Sequence, residues 1–293
     1  MNELRRIAAA ERPSHETRMF GNVIVGVDDY AHGRHALELA KALVSRDGRI
    51  TLIYVEVVQT SPAPELDASS VAERQRFGLE RLGRLADEAQ ITAEVARVQA
   101  PSVRNGLHEF AASRAADLIM IGVSSRNAVA RLQLGDDVRE VLVDPPCAVA
   151  VAPNGYSGGS AQMRKIGVAY DGSPQSERAL AVAREIAAEH HAGLLAYEMV
   201  FAPTYAPDGR HMGEIDEQVN KSRQRLASFG DVEPHVEAGD DPAEGIRRFG
   251  ASVDLLVLGS HTYRPPERVL RRSTSQRVAD GTTSPLLVLA SER

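Results

Sequence analysis

The fold is decided by a stretch that occurs twice: residues 23–40 read VIVGVDDYAHGRHALELA and residues 166–183 read IGVAYDGSPQSERALAVA. Placing Asp28 over Asp171 aligns an apolar strand pattern, an acidic turn and a helical pattern in both copies. The likeness continues where AADLIMIGVSSR (115–126) matches SVDLLVLGSHTYR (252–264), and PCAVAVA (146–152) matches SPLLVLA (284–290). This is one long unit duplicated once, and each copy is large enough to bury its own core.

Within each copy, short β-branched apolar runs alternate with amphipathic helical stretches. Runs that are apolar on both faces are typical of parallel strands covered by helices on both sides. The predicted strands are 23–27, 50–57, 94–98, 117–122 and 147–151, then 165–170, 193–200, 234–237, 254–259 and 285–289; the first-copy helices are 32–45, 71–89, 103–115 and 136–143. The pattern predicts an α/β fold with two tandem doubly wound five-stranded parallel sheets.

The chain therefore divides into an N-terminal extension (1–19), a first domain (20–153), a linker (154–163) and a second domain (164–291). The linker contains NGYSGGS, which is rich in Gly and Ser. Two Pro-containing segments, 59–70 and 201–213, follow the second strand of each copy. Because ligand crevices form at the carboxyl ends of parallel strands, these segments are either lids or plain surface loops.

Composition excludes several classes of protein. The 34 basic and 40 acidic side chains give a net charge of −6, which argues against nucleic acid or an anionic membrane as partner. No apolar run approaches the ~20 residues of a membrane span, and residues 1–20 lack a signal-like apolar stretch. We therefore expect a cytoplasmic protein. The single cysteine, Cys147, excludes an intrachain disulfide and a thiolate zinc cluster, and we expect it to be buried.

The most informative segment follows the fourth strand of each copy. The first copy has Gly122-Val-Ser-Ser125, nine residues and Gly135-Asp136; the second has Gly259-Ser-His-Thr262, nine residues and Arg272-Ser273. With the Asp that ends the first strand, this arrangement resembles the universal stress protein family. ATP-binding members of that family carry Gly-x2-Gly-x9-Gly-(Ser/Thr) here. The resemblance covers roughly residues 20–152 and 164–290.

The resemblance implies a nucleotide site in each copy and pairing of the two halves through their last strands, with a homodimer of the whole chain as a further option. Asp28 and Asp171 would face the nucleoside, and backbone at Val55 and Glu198 would meet the base. The phosphates, with Mg²⁺ only when nucleotide is bound, would lie at the following positions: Gly122, Ser125, Gly135 and Asp136 in the first copy, and Gly259, Thr262, Ser273 and Ser275 in the second. From the residues alone, the two aspartates could equally be turn formers that cap the next helix.

Both copies depart from the family's loop. Ser125 and Thr262 replace its middle glycine, and Arg272 replaces its last glycine in the second copy. Asp136 replaces the hydroxyl residue in the first copy and would place a carboxylate beside a phosphate. A non-glycine residue at positive φ costs about 1–2 kcal/mol, and a lost hydrogen bond to a charged group about 1.5–3 kcal/mol. Two such defects amount to roughly 3–5 kcal/mol, or about two to four powers of ten in affinity. The arginines of segment 264–272 either compensate at the phosphates or form a solvated face.

These features predict a regulatory or binding module of the stress response with degenerate ATP sites, and not an enzyme. The first alternative is an interaction or scaffold protein that has lost nucleotide binding. The second, less favoured, is a slow ATP hydrolase or phosphotransferase, because no general base or phosphate-loop lysine is evident.

Overall fold

The apolar strands assemble into one ten-stranded sheet. The computed structural model describes residues 19–27, 30–58, 68–123, 136–158, 163–202, 210–260 and 273–291. The strands are β1 (Phe20–Gly26), β2 (Val44–Val57), β3 (Glu94–Ala100), β4 (Leu118–Gly122), β5 (Ala148–Ala152), β6 (Lys165–Ala169), β7 (Gly193–Phe201), β8 (Glu233–Gly239), β9 (Leu255–Gly259) and β10 (Leu286–Leu289). Their order is β3-β2-β1-β4-β5-β10-β9-β6-β7-β8. Each half is a parallel five-stranded unit, so the predicted doubly wound α/β organisation is confirmed.

The two halves join at β5 and β10. These strands pair antiparallel, with Val151 opposite Leu286 and Val149 opposite Val288. All four side chains are buried. The predicted meeting of the last strands inside one chain is therefore confirmed, and the two sheets are continuous.

Helices cover both faces of the sheet. They are α1 (Tyr30–Leu43), α2 (Ala68–Glu88), α3 (Val103–Ser113), α4 (Asp136–Val141), α5 (Pro174–His190), α6 (Arg210–Ala227), α7 (Pro242–Gly250) and α8 (Thr274–Ala279). Alternate strand residues face opposite layers: Val25 belongs to the apolar cluster beneath α1 and α5, and Ile24 to the cluster beneath α3 and α7. Each cluster runs across both halves. None of the described helices is long and apolar enough to cross a membrane.

The repeated aspartates before β4 and β9 are structural. Asp117 accepts hydrogen bonds from the backbone amides of Gly21 (2.7 Å) and Asn22 (3.0 Å). Asp254 accepts from the amides of Arg164 (2.8 Å) and Lys165 (2.9 Å). Each carboxylate therefore ties the amino end of one strand to the amino end of its neighbour, at the edge opposite the predicted crevice.

Some element bounds differ from those predicted. Helix α1 ends at Leu43 and not at Ser45, because Val44 already pairs with Phe20 at the start of the sheet. Strand β4 begins after Asp117, whose side chain holds β1. The interiors of the two Pro-containing segments (59–67 and 203–209) and linker residues 159–162 lie outside the described residues.

Side chains reinforce the junction between the halves. Arg139 Nε of α4 lies 2.5 Å from Asp280 Oδ1 at the end of α8. On the other face, His190 Nε2 donates to the carbonyl of Ala42 over 2.8 Å. The helices that follow β4 and β9 are therefore in direct contact with each other.

A glycine in α3 and another in α7 let these helices lie close against the sheet. A Cβ at Gly106 would be 2.5 Å from Val55 Cγ1 of β2. A Cβ at Gly245 would collide with Met199 of β7 and lie 2.7 Å from Glu237 Oε1. Both glycines thus occupy the same place in their halves, above the second strand.

We expect Gly245→Ala to destabilise the protein by roughly 1–3 kcal/mol, because the added methyl overpacks the contact with Tyr197 and Met199. Gly213→Ala is the matched control: it is also helical, but its Cβ would meet nothing within 4 Å, so it should stabilise by about 0.5–1 kcal/mol. Chemical denaturation measures both changes. Equal effects of the two substitutions would contradict this packing.

Cys147 lies at the amino end of β5 and is buried, as predicted. Burial, with a smaller contribution from the charge of Asp117, raises the pKa of its thiol to about 12. Since the thiolate is the reactive form, we expect negligible alkylation by iodoacetamide at pH 8 in the native protein and rapid alkylation in guanidinium chloride. Mass spectrometry provides the measurement, and equal rates in the two states would refute the burial of this residue.

Candidate functional site

A cavity of about 480 Å³ opens in the second half at the carboxyl ends of β6, β7 and β9. The amino ends of α5, α7 and α8 converge on it. Its lining residues are Ala169, Tyr170, Asp171, Ser176, Tyr197, Met199, Pro242, Ile246, Leu258, Gly259, Thr274 and Ser275. Three of the predicted site residues, Asp171, Gly259 and Ser275, are therefore brought together in one cleft, although they lie far apart in the sequence.

Asp171 forms part of a tight turn between β6 and α5. Its Oδ1 accepts a hydrogen bond from the Ser173 amide over 2.9 Å, and its own amide donates to Ser176 Oγ over 3.3 Å. Ser173, and not Asp171, is the N-cap of α5, because Ser173 Oγ accepts from the Ser176 amide over 3.2 Å. Between them, Gly172 takes a φ of +78°, which favours glycine. The turn holds the carboxylate of Asp171 at the rim of the cleft.

The second strand of each half continues beyond its pairing with the first. In the first half the last bond between them runs from the Val27 amide to the Ile53 carbonyl (2.9 Å). In the second half it runs from the Tyr170 amide to the Tyr197 carbonyl (2.8 Å). Strand β7 then continues to Phe201, paired with β8. One edge of its backbone is thereby left facing the cleft.

This register shows that the two predicted second-strand positions are not equivalent. Counting from the matched bonds, Val55 corresponds to Met199, and Glu198 corresponds to Tyr54. The close approaches of the α3 and α7 glycines to Val55 and Met199 show the same correspondence. The cause is one additional residue between the first and second strands of the second half.

The Glu198 side chain points away from the cavity, toward α6. Its Oε1 accepts hydrogen bonds from Ser222 Oγ (2.9 Å) and from an Arg225 Nη (2.5 Å). Glu198 is 9% exposed, and its Oε2 is buried without a hydrogen-bond partner. The side chain therefore lies on the opposite face of β7 from Tyr197 and Met199.

Arg225 is a residue that the sequence did not single out. Its guanidinium lies 5.6 Å from the ring centre of Tyr170, and its Nη1 would be 3.4 Å from a Cβ at Gly172. The hydrogen bond and charge of Glu198 raise the pKa of Arg225, with smaller contributions from Tyr170 and Asp171. The available signal was the i, i+3 spacing of Ser222 and Arg225 on one helix face.

Tyr197 of β7 is one of the residues that line the cavity. Its hydroxyl donates to Glu237 Oε1 over 2.5 Å, and the same oxygen accepts from an Arg248 Nη over 2.6 Å. The ring stacks on Phe249 with centroids 5.1 Å apart. Burial, followed by the bond to Glu237, raises the pKa of Tyr197 far above its usual range. The hydroxyl is therefore a fixed neutral donor.

The end of β9 and the start of α8 also line the cavity. A Cβ at Gly259 would lie 2.6 Å from the Gln175 carbonyl oxygen, so only glycine allows α5 to approach this strand so closely. Ser273 caps α8 through its bond from the Gln276 amide (3.2 Å), and its hydroxyl lies 3.0 Å from Ser275 Oγ. Hydroxyl groups therefore line this end of the cleft.

In the first half the described residues show only part of the corresponding cleft. Gly122 ends β4, and Asp136 begins α4. Val55 lies beneath the glycine of α3. The other predicted positions, Asp28, Ser125 and Gly135, lie outside the described residues, as does Thr262 of the second half.

Within the described ranges, no group of three or more His, Cys, Asp or Glu side chains is placed to hold a metal ion.

The chain is similar to known proteins of one family. A universal stress protein of Mycolicibacterium smegmatis is 25% identical over 285 residues, which is 91% of this chain and 96% of that protein. A universal stress protein of Mycobacterium tuberculosis is 29% identical over 189 residues, 60% of this chain and 62% of that one.

Among solved structures, a universal stress protein from Archaeoglobus fulgidus has a TM-score of 0.67 at 18% identity, covering 94% of this chain and 97% of its own. That likeness shows the fold alone. The model of the Universal stress protein family matches residues 19–153 and again 163–290. The repeated strand–turn–helix unit, the paired last strands and these two matches together show that this chain is a tandem member of the universal stress protein family.

Proposed function

We propose that this protein is a regulatory binding module whose second half takes up an adenine nucleotide, weakly, in the cavity at the ends of β6, β7 and β9. The cavity carries this proposal. Its volume of about 480 Å³ lies within the roughly 300–1,000 Å³ of small-molecule sites. Its position at the carboxyl ends of parallel strands is where such sheets bind ligands.

The lining suits a nucleoside that carries phosphate. Apolar side chains of Ala169, Ile246 and Leu258, with the ring of Tyr197, offer a surface to a planar base. The Asp171 carboxylate at the rim is placed to accept hydrogen bonds from ribose hydroxyls. The phosphates would lie toward the hydroxyl-lined end at Ser275. A Mg²⁺ ion would enter only with them.

The charge of the cleft supports weak binding. Among its described lining residues Asp171 carries the only charge, and that charge is negative. Among these described residues a triphosphate would meet only neutral hydroxyl and backbone donors, which form weaker hydrogen bonds than cationic side chains. The described lining residues include no lysine or histidine for phosphoryl transfer, so these residues favour a binding role over catalysis.

Calorimetric titration of nucleotide-stripped protein with ATP and Mg²⁺, repeated with cyclic AMP, tests the proposal. We expect saturable binding at no more than one site per chain, weakened about tenfold to hundredfold by Asp171→Ala, because a hydrogen bond to a charged group is worth about 1.5–3 kcal/mol. Asp28→Ala is the matched variant in the first half and should change the affinity little.

Asp171→Asn controls for the turn, since an amide oxygen can still accept from the Ser173 amide. No heat and no thermal shift at millimolar ligand would overturn the proposal and leave the scaffold alternative. Unweakened binding in Asp171→Ala would show that the site lies elsewhere. Multiple-turnover release of phosphate from ATP and Mg²⁺ would instead favour the hydrolase alternative.

A further inference from the structure

Burial of the Glu198 side chain lowers the stability of the folded protein. Its carboxylate is buried within a strand, and one oxygen, Oε2, has no hydrogen-bond partner. Burying a charge costs free energy that a single ion pair repays only partly. Its bonds come from α6, through Ser222 and Arg225. A buried, half-satisfied carboxylate of this kind needs a reason other than stability.

The first half builds the same layer without such a pair. Tyr54 stands at the position of Glu198, and Val27 at the position of Tyr170. Both first-half side chains pack against the apolar cluster beneath α1 and α5. The packing of the second strand against this helix layer therefore does not require a carboxylate. Among the described residues, the ion pair at this position occurs only in the half that holds the cavity.

The guanidinium of Arg225 joins three parts of the second half. It is bonded to Glu198 of β7 over 2.5 Å, it lies over the ring of Tyr170 at the end of β6, and its Nη1 would be 3.4 Å from a Cβ at Gly172. The Tyr170 ring is itself fixed, because its hydroxyl donates to Glu177 and its edge meets Phe229 at 5.5 Å. The guanidinium that Glu198 holds therefore lies next to the turn at 171–173 and against the residue that precedes it.

We propose that Arg225, held by Glu198, is a positioning residue that fixes the turn 171–173 and so places the Asp171 carboxylate at the rim of the nucleotide cleft. The inference rests on the proposed function and assigns Arg225 no contact with the ligand. It also gives the two predicted site residues, Asp171 and Glu198, a shared partner. In this role the Glu198 side chain acts on the face of β7 that points away from the cavity.

Two readouts distinguish positioning from general stability. The first is hydrogen exchange at the Ser173 amide, which donates to Asp171 Oδ1 and reports the turn. The second is the ATP affinity measured by calorimetry. The variants are Arg225→Met and the double variant Glu198→Leu/Arg225→Met. Arg223→Met is the matched control, because Arg223 is exposed on the same helix and, within the described part of the chain, bonds along that helix to Asn220 Oδ1 at 3.4 Å.

We expect Arg225→Met to accelerate exchange at Ser173 at least tenfold and to weaken ATP binding at least tenfold, while Arg223→Met changes neither more than twofold. The double variant removes the buried charge together with its partner. Its melting temperature should therefore return to the wild-type value or above. Its ATP affinity should remain as weak as that of Arg225→Met.

An unchanged Ser173 exchange rate in Arg225→Met would overturn the inference, and so would recovery of ATP affinity in the double variant, which would make the pair merely structural. Faster exchange with unchanged affinity would also overturn it. If wild-type protein binds no ATP, the proposed function fails and the inference fails with it. That result is read from the wild type alone and is therefore distinct from a failure of the variants.

Discussion

Between β5 and β10, two strands that are buried on both faces exchange backbone hydrogen bonds, and each would otherwise be the exposed edge of a five-stranded sheet. An unpaired apolar edge leaves amide and carbonyl groups without partners and invites association with other chains. The pairing at this junction makes both apolar clusters continuous across the chain. It also brings α4 against α8, so the helix that begins at each predicted phosphate loop is braced by its counterpart.

The order and type of the elements follow from the sequence, because strands apolar on both faces and helices with one apolar face differ in period and length. The junction followed from the resemblance and the repeated Pro-apolar ends. The sequence did not reveal that Val55 corresponds to Met199 and not to Glu198, because a one-residue shift between two apolar strands leaves both alignments equally apolar. The true register becomes visible only through the matched bonds at Ile53 and Tyr197.

The hydrogen-bond and ion-pair partners of the site residues are even harder to predict from the local sequence. Glu198 and Arg225 are separated by a segment that includes a helix start, and nothing near either residue indicates the other. Asp171 illustrates the reverse case. A turn-forming role and a ligand-facing role of Asp171 are both compatible with the geometry, because its Oδ1 closes a turn while its carboxylate still lines the cavity; only the cap of α5 belongs to another residue, Ser173. A residue that shapes a turn can also serve the ligand that the turn surrounds.

The covalent fusion of the two halves changes how their clefts can diverge. In a symmetric homodimer of single units every substitution appears in both sites, so a residue that improves one cleft is imposed on the other. Here Tyr197 lines the cavity of the second half, and Ile53 occupies the corresponding position in the first half. The buried carboxylate of Glu198 likewise corresponds to Tyr54. Joining the units through β5 and β10 keeps the architecture of a symmetric pair while each copy accumulates its own chemistry. Duplication within one chain thus allows the residues at corresponding positions of the two halves to differ.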